Sequence, residues 1–141
     1  MKITELLPML RLHGRTITDA KKEALFLNWT CAGFSVAFNG SYLKARVLAM
    51  SDMGPSFPGF PPPDPDWPCL GAAADGSEEL CFREERREED GWVTLFTAPE
   101  KGAHTVRVIK LSEAARGKLG IAEMETDGEF IPVTGEEKPV I

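Results

Sequence analysis

Outside its loops, the chain alternates apolar and polar positions over short stretches, a period of two that predicts β-strands with one buried face. The run EALFLNW (23–29) is compactly apolar. In GFSVAFNGSYLKARVLAM (33–50), Phe34, Val36 and Phe38 share one face, and Leu43, Ala45 and Val47 share one face after a change of parity at Asn39-Gly40. Asn-Gly accepts the positive φ values of a tight hairpin turn, so two strands joined at that dipeptide are expected. CLGAAADGSEELCF (69–82) predicts a second hairpin about Asp75-Gly76. DGWVTLFTA (90–98) and GAHTVRVIKLSEA (102–114) predict a third around PEKG. KLGIAEMETDGEFIPV (118–133) adds one more strand with a polar turn at Asp127-Gly128. The sum is an all-β domain, a β-sandwich or barrel of roughly eight to ten antiparallel strands.

Between these strands lie two stretches of different character. SDMGPSFPGFPPPDPDWP (51–68) carries seven prolines and reads as a long loop, because each proline removes a backbone donor. REERREED (83–90) mixes both charges and reads as a solvated loop or edge.

At 141 residues the chain fits a single domain, large enough to bury about 70% of its unfolded surface without a metal or disulfide staple. A net charge of −6 argues against binding a phosphate backbone, which needs clustered Lys and Arg, so no nucleic-acid partner is expected. Three cysteines, Cys31, Cys69 and Cys81, form no Cys-x-x-Cys pair and read as buried free thiols. The N-terminus has a short apolar patch interrupted by Glu5 and Pro8, with neither a signal peptide nor a membrane span, which implies a cytoplasmic protein if that N-terminus is native.

Candidate chemistry is sparse. The two histidines, His13 and His104, belong to no metal-ligating spacing and read as structural or interface residues rather than ligands. No Gly-x-Ser-x-Gly elbow or phosphate-binding glycine loop is present. Asp52, Asp64, Asp66, Asp75 and Asp90 offer oxygen ligands for a structural calcium ion, but their spacing matches no calcium loop. No metal or other cofactor is assigned. Of the tryptophans, Trp29 and Trp92 follow or begin apolar strands and read first as core. Trp67 sits in the proline-rich loop with Phe57 and Phe60, where an aromatic either stacks on a sugar ring or caps the core. Trp67, Trp92, Phe57 and Phe60 are the carbohydrate-binding candidates.

Leu12-His13-Gly14-Arg15, then Trp29-Thr30 with Gly33-Phe34, then Gly102 with His104-Thr105-Val106-Arg107, Lys110 and Glu113-Ala114 appear in a characteristic order. In that order the chain, from about Leu12 to Gly120, resembles the N-terminal β-sandwich (jelly-roll) domain of family 2 carbohydrate esterases, two-domain SGNH/GDSL-type deacetylases. The proline-rich stretch and the charge run depart from that pattern. The resemblance implies a jelly-roll-like accessory domain over residues 1–135. Residues 136–141 would be a linker or the start of an absent SGNH catalytic domain. The serine nucleophile and its histidine would lie in that domain, and the chain alone is not expected to be an enzyme. His13, Arg15, His104, Arg107, Lys110 and Glu113 would form the interdomain interface, with Arg107 or Lys110 and Glu113 reaching out from the strand end. Plant cell-wall polysaccharide is the expected further partner, and no membrane is expected. The alternative is an independent carbohydrate-binding module using exposed aromatics.

Overall fold

The protein's structure, a computed structural model, describes residues 1–14, 17–19, 23–27, 32–50, 58–59, 67–111 and 118–133. Among these a short helix, α1 (Ile3–Leu6), precedes nine strands: β1 (Arg11–His13), β2 (Ile17–Asp19), β3 (Ala24–Leu27), β4 (Gly33–Met50), β5 (Cys69–Ala74), β6 (Phe82–Glu85), β7 (Asp90–Lys110), β8 (Lys118–Glu125) and β9 (Glu129–Ile131). Every pairing is antiparallel, in the order β2-β3-β8-β4-β7-β5-β6, with β1 and β9 also paired to β4. The all-β expectation holds.

Two long strands organise the fold. Residues 33–40 of β4 pair with 102–109 of β7, and residues 42–48 pair with 90–97. The first half is flanked by β1 and β9 on one side and β5 and β6 on the other; the second is extended by β8, β3 and β2. Phe34, Val36 and Phe38 from the first half and Leu43, Ala45 and Val47 from the second all belong to one buried cluster. Val106 and Val108 of β7 join it from the first half, Val93 and Leu95 from the second. The sheet therefore folds over on itself as a sandwich, and Ile3 and Leu6 of α1 complete the core.

The change of parity at Asn39-Gly40 is real, but the chain does not reverse there. β4 runs on through a register shift between Gly40 and Tyr42, and β7 runs through PEKG, where residues 98–101 lie opposite Ser41 alone. Both expected hairpins are thus bulged corners within continuous strands. A bulge inserts unpaired residues, flips the faces beyond it and bends the strand, so it leaves the same mark in the sequence as a turn. Pro99 sits in the bulge, where a ladder donor is not required. Gly40 is not among the residues of positive φ. It is needed instead because a Cβ there would run into Thr126 and Asp127.

Asp127 closes this corner. Its carboxylate accepts bonds from the Ser41 backbone N–H (2.6 Å) and hydroxyl (2.5 Å), and its carbonyl accepts one from Lys101 Nζ (3.1 Å), tying both bulges to one residue. The turn expected at Asp127-Gly128 is also no reversal: β8 and β9 lie along the same edge of β4 in the same direction. Gly128 is required there because a Cβ would collide with the carbonyl of Asn39.

The Asp75-Gly76 turn forms as expected. Both residues have positive φ, 52° and 75°, and the Ser77 N–H donates to the Ala74 carbonyl at 3.0 Å. The charge run forms edge strand β6 and its exit. One member departs from the solvated expectation: Arg86 is only 5% exposed, its guanidinium donating to Glu84 (2.6 Å) and Glu88 (3.5 Å). Burial of that charge is tolerated because it is paired. The cysteines also depart from expectation, since Cys81 is exposed and Cys69 half-buried. Cys31 and most of the proline-rich stretch lie outside the described residues.

The two Ser41 bonds hold the Asp127 carboxyl below its ordinary value of 3.8. A depressed folded value means that this contribution to stability is present above about pH 3.8 and is lost as pH falls through the folded value. Asp127→Ala is expected to lower the urea midpoint at pH 7, with the gap from wild type narrowing on acidification below that range, measured by equilibrium unfolding.

Candidate functional site

The outer face of the first half-sheet carries an open groove of about 800 Å³. Its floor follows from strand parity. Where Val36, Val106 and Ala72 face the core, Ser35, Thr105, Arg107 and Ala73 face outward. Arg11 pairs with Ser35, Ser35 with Arg107, and Arg107 with Ala73, so these four residues form one row across β1, β4, β7 and β5. Short side chains at Ser35 and Ala73 keep the row low between the arginines. His13, two residues beyond Arg11 on the same face, adds its ring, and Asp75, Gly76, Ser77 and Glu78 of the β5–β6 connection build the opposite wall.

That wall is fixed by Asp75. Its carboxylate accepts the Thr105 N–H (3.0 Å) and lies 2.9 Å from Nδ1 of His104, while its own N–H donates to the Thr105 carbonyl (2.7 Å). His104 is therefore on the core side of β7, its ring packed on Phe96 (centroids 4.7 Å apart) and Phe38 (5.9 Å).

His13 Nε2 lies 2.8 Å from Ser35 Oγ. Burial, then the positive charges of Arg11 and Arg107, hold its pKa below the ordinary 6.5, so the ring is neutral at pH 7. A hydroxyl against a neutral imidazole is the beginning of a nucleophile and base pair. Among the described residues, however, no carboxylate is bonded to His13 to orient it as in a hydrolytic triad. His13 and Ser35 thus form a hydrogen-bonded polar pair on the groove floor.

Of the six interface candidates, the structure brings His13 and Arg107 together and turns His104 to the other face. Lys110 does not reach out from its strand end but is buried, 0% exposed. Arg15 and Glu113 lie outside the described residues, as do Phe57 and Phe60. Trp67 is half-buried. Trp92 is 49% exposed on the outer face of the second half-sheet, not in the core. It pairs with Arg46, whose guanidinium is held by Asp90 (2.9 and 2.6 Å) and Glu123 (3.0 Å). Asp75 and Asp90 are thus engaged by protein partners. Among the described residues no group of three or more His, Cys, Asp or Glu side chains is placed to hold a metal ion. Arg11, Ser35 and Glu78 were not singled out from the sequence. The Arg-x-His spacing of RLH was the available signal for Arg11, since period two puts both residues on one strand face.

No protein-family model matches the chain, and no curated protein matches it in sequence. Solved structures do match. Its structural neighbours are family 2 carbohydrate esterases. The enzyme from Cellvibrio japonicus superposes with a TM-score of 0.69 at 20% identity, over 90% of this chain and 33% of that one. An acetyl xylan esterase from the rumen bacterium Butyrivibrio proteoclasticus gives 0.72 at 18% identity, over 95% of this chain and 33% of that one. The Clostridium thermocellum enzyme, solved in complex with cellohexaose, gives 0.69 at 14% identity, over 89% and 33%. At such identities the likeness establishes the fold, and the chain spans about a third of the length of each of these esterases.

Removing one cation from the groove should release the His13 imidazole. Arg11→Gln is expected to raise the His13 pKa towards 6.5, and Arg107→Gln to do so by less. NMR titration of the ring protons checks both shifts and their order.

Proposed function

We propose that this chain is a non-catalytic β-sandwich unit of a carbohydrate esterase, the part that docks on an SGNH catalytic domain and shapes the approach of polysaccharide to it. The supporting observation is the asymmetry of the structural match: nearly the whole chain superposes, but on only a third of each esterase. In such a parent a serine oxygen would attack the acetyl ester carbonyl, with an oxyanion hole stabilising the tetrahedral charge. Those groups would belong to the catalytic domain. His13 and Arg107, with Arg15 and Glu113, mark the face through which this unit would meet its partner, the groove between them staying open at the domain boundary to the approaching polysaccharide.

A second reading, an independent carbohydrate-binding module, is favoured by one observation, the exposure of Trp92 beside a guanidinium locked by two carboxylates. An exposed indole face with fixed polar neighbours suits a pyranose ring.

The 141-residue chain alone is expected to release no acetate from acetylated xylan or 4-nitrophenyl acetate above the buffer rate, while the full gene product does. Turnover by the chain alone would overturn the assignment. For the second reading, Trp92→Ala should abolish retention of the chain on insoluble xylan or cellulose. Equal retention of the variant would remove Trp92 from any sugar-binding role.

A further inference from the structure

Apart from Arg83, which is exposed on edge strand β6 and forms no ion pair among the described residues, the arginines of the described chain divide into two kinds. Arg46, Arg86 and Arg87 each hold a carboxylate. Arg11 and Arg107, which flank Ser35 in one cross-strand row, form no ion pair among the described residues. Two like charges set two strands apart over a small-residue floor gain nothing from each other. Arg11 Nη1 is moreover buried without a hydrogen-bond partner. Leaving a buried guanidinium donor unsatisfied is costly, and such an orphan calls for an explanation, an anion being the simplest.

We propose that this groove is a binding site for the carboxylate of an acidic sugar, a hexuronic acid residue. Arg11 and Arg107 would donate to the carboxylate, for which the planar guanidinium fork is suited, and Ser35 with the neutral His13 ring would bond an adjacent ring hydroxyl. The opposite wall excludes a multiply charged ligand: Asp75 and Glu78 would repel a phosphate dianion, whereas Ser77 and Glu78 accept bonds from hydroxyl groups. Among the described residues no Phe, Tyr or Trp lines the groove, so recognition would rest on the carboxylate rather than on stacking against a broad ring face. The volume of about 800 Å³ admits a sugar of one or two rings. The site is distinct from the Trp92 surface, which lies on the other half-sheet. The choice of a sugar over another carboxylate rests on the esterase reading above.

The test is NMR titration of the isotopically labelled 141-residue chain with glucuronate, glucose, acetate and inorganic phosphate, repeated on Arg107→Gln and Arg11→Gln. Glucuronate is expected to shift the Ser35, Thr105 and Arg107 amides saturably, with glucose leaving them in place and acetate and phosphate binding more weakly. Each variant should weaken glucuronate binding at least ~tenfold, the loss of a charge-assisted bond, while its remaining spectrum stays that of the folded chain. No saturable shift, equal binding of glucose, equal binding of acetate or phosphate, or undiminished binding by both variants would each overturn the proposal. Deacetylation by the full gene product without glucuronate binding would remove this inference alone. Glucuronate binding with no deacetylation would support it and remove the esterase reading.

Discussion

The fold depends on one corner, the place where β4 and β7 bend together and Asp127 holds both bends. A strand of 18 residues and one of 21 could not each serve a single flat sheet in a domain of this size. Their bulges let one pair of strands build both layers, and the flip of parity across each bulge turns apolar residues of both halves to the same core. The polar groups left by the interrupted ladder are answered by the Ser41 and Lys101 bonds to Asp127. Gly40 and Gly128 are small because the crossing brings the Thr126 and Asp127 side chains against one and the Asn39 carbonyl against the other, a steric requirement rather than a conformational one.

The same corner gives the domain two outer faces with different chemistry. On the second half-sheet, charges are matched in place: Arg46 between Asp90 and Glu123, with Tyr42 reaching Glu125 at 3.4 Å and Lys44 over the Tyr42 ring at 5.1 Å. Such exposed pairs add little stability, and they share the outer face with Trp92, which pairs with Arg46. On the first half-sheet, Arg11 and Arg107 form no ion pair among the described residues, and Asp75 and Glu78 stand on the opposite wall. A surface already neutralised is suited to shape-based contact, and one with unspent donors to a charged ligand.

Much of the local structure was readable in advance. β3, the alternation within each half of β4 and β7, and the Asp75-Gly76 turn follow from residue type, because burial on one face and positive φ are demands that single positions satisfy or fail. The hairpins expected at Asn39-Gly40 and PEKG failed for a definable reason. A turn and a bulge both change parity at a glycine, and only the packing of residues 126–128 against the corner selects the bulge. The groove was half readable: His13 and Arg107 were candidates, but their convergence on Arg11 and Ser35 required the register of β1 on β4.

The sequence by itself therefore determined an all-β chain, which face of each half of β4 and β7 enters the core, and where the Asp75-Gly76 turn of left-handed residues falls, since these depend on neighbours one or two positions away. Tertiary structure alone decided that two strands run on where two hairpins were expected, that Lys110 is enclosed and Trp92 exposed, and that two arginines 96 positions apart in the chain face each other across a serine. Pairing register and sheet curvature are set by long-range contacts whose partners no local pattern names.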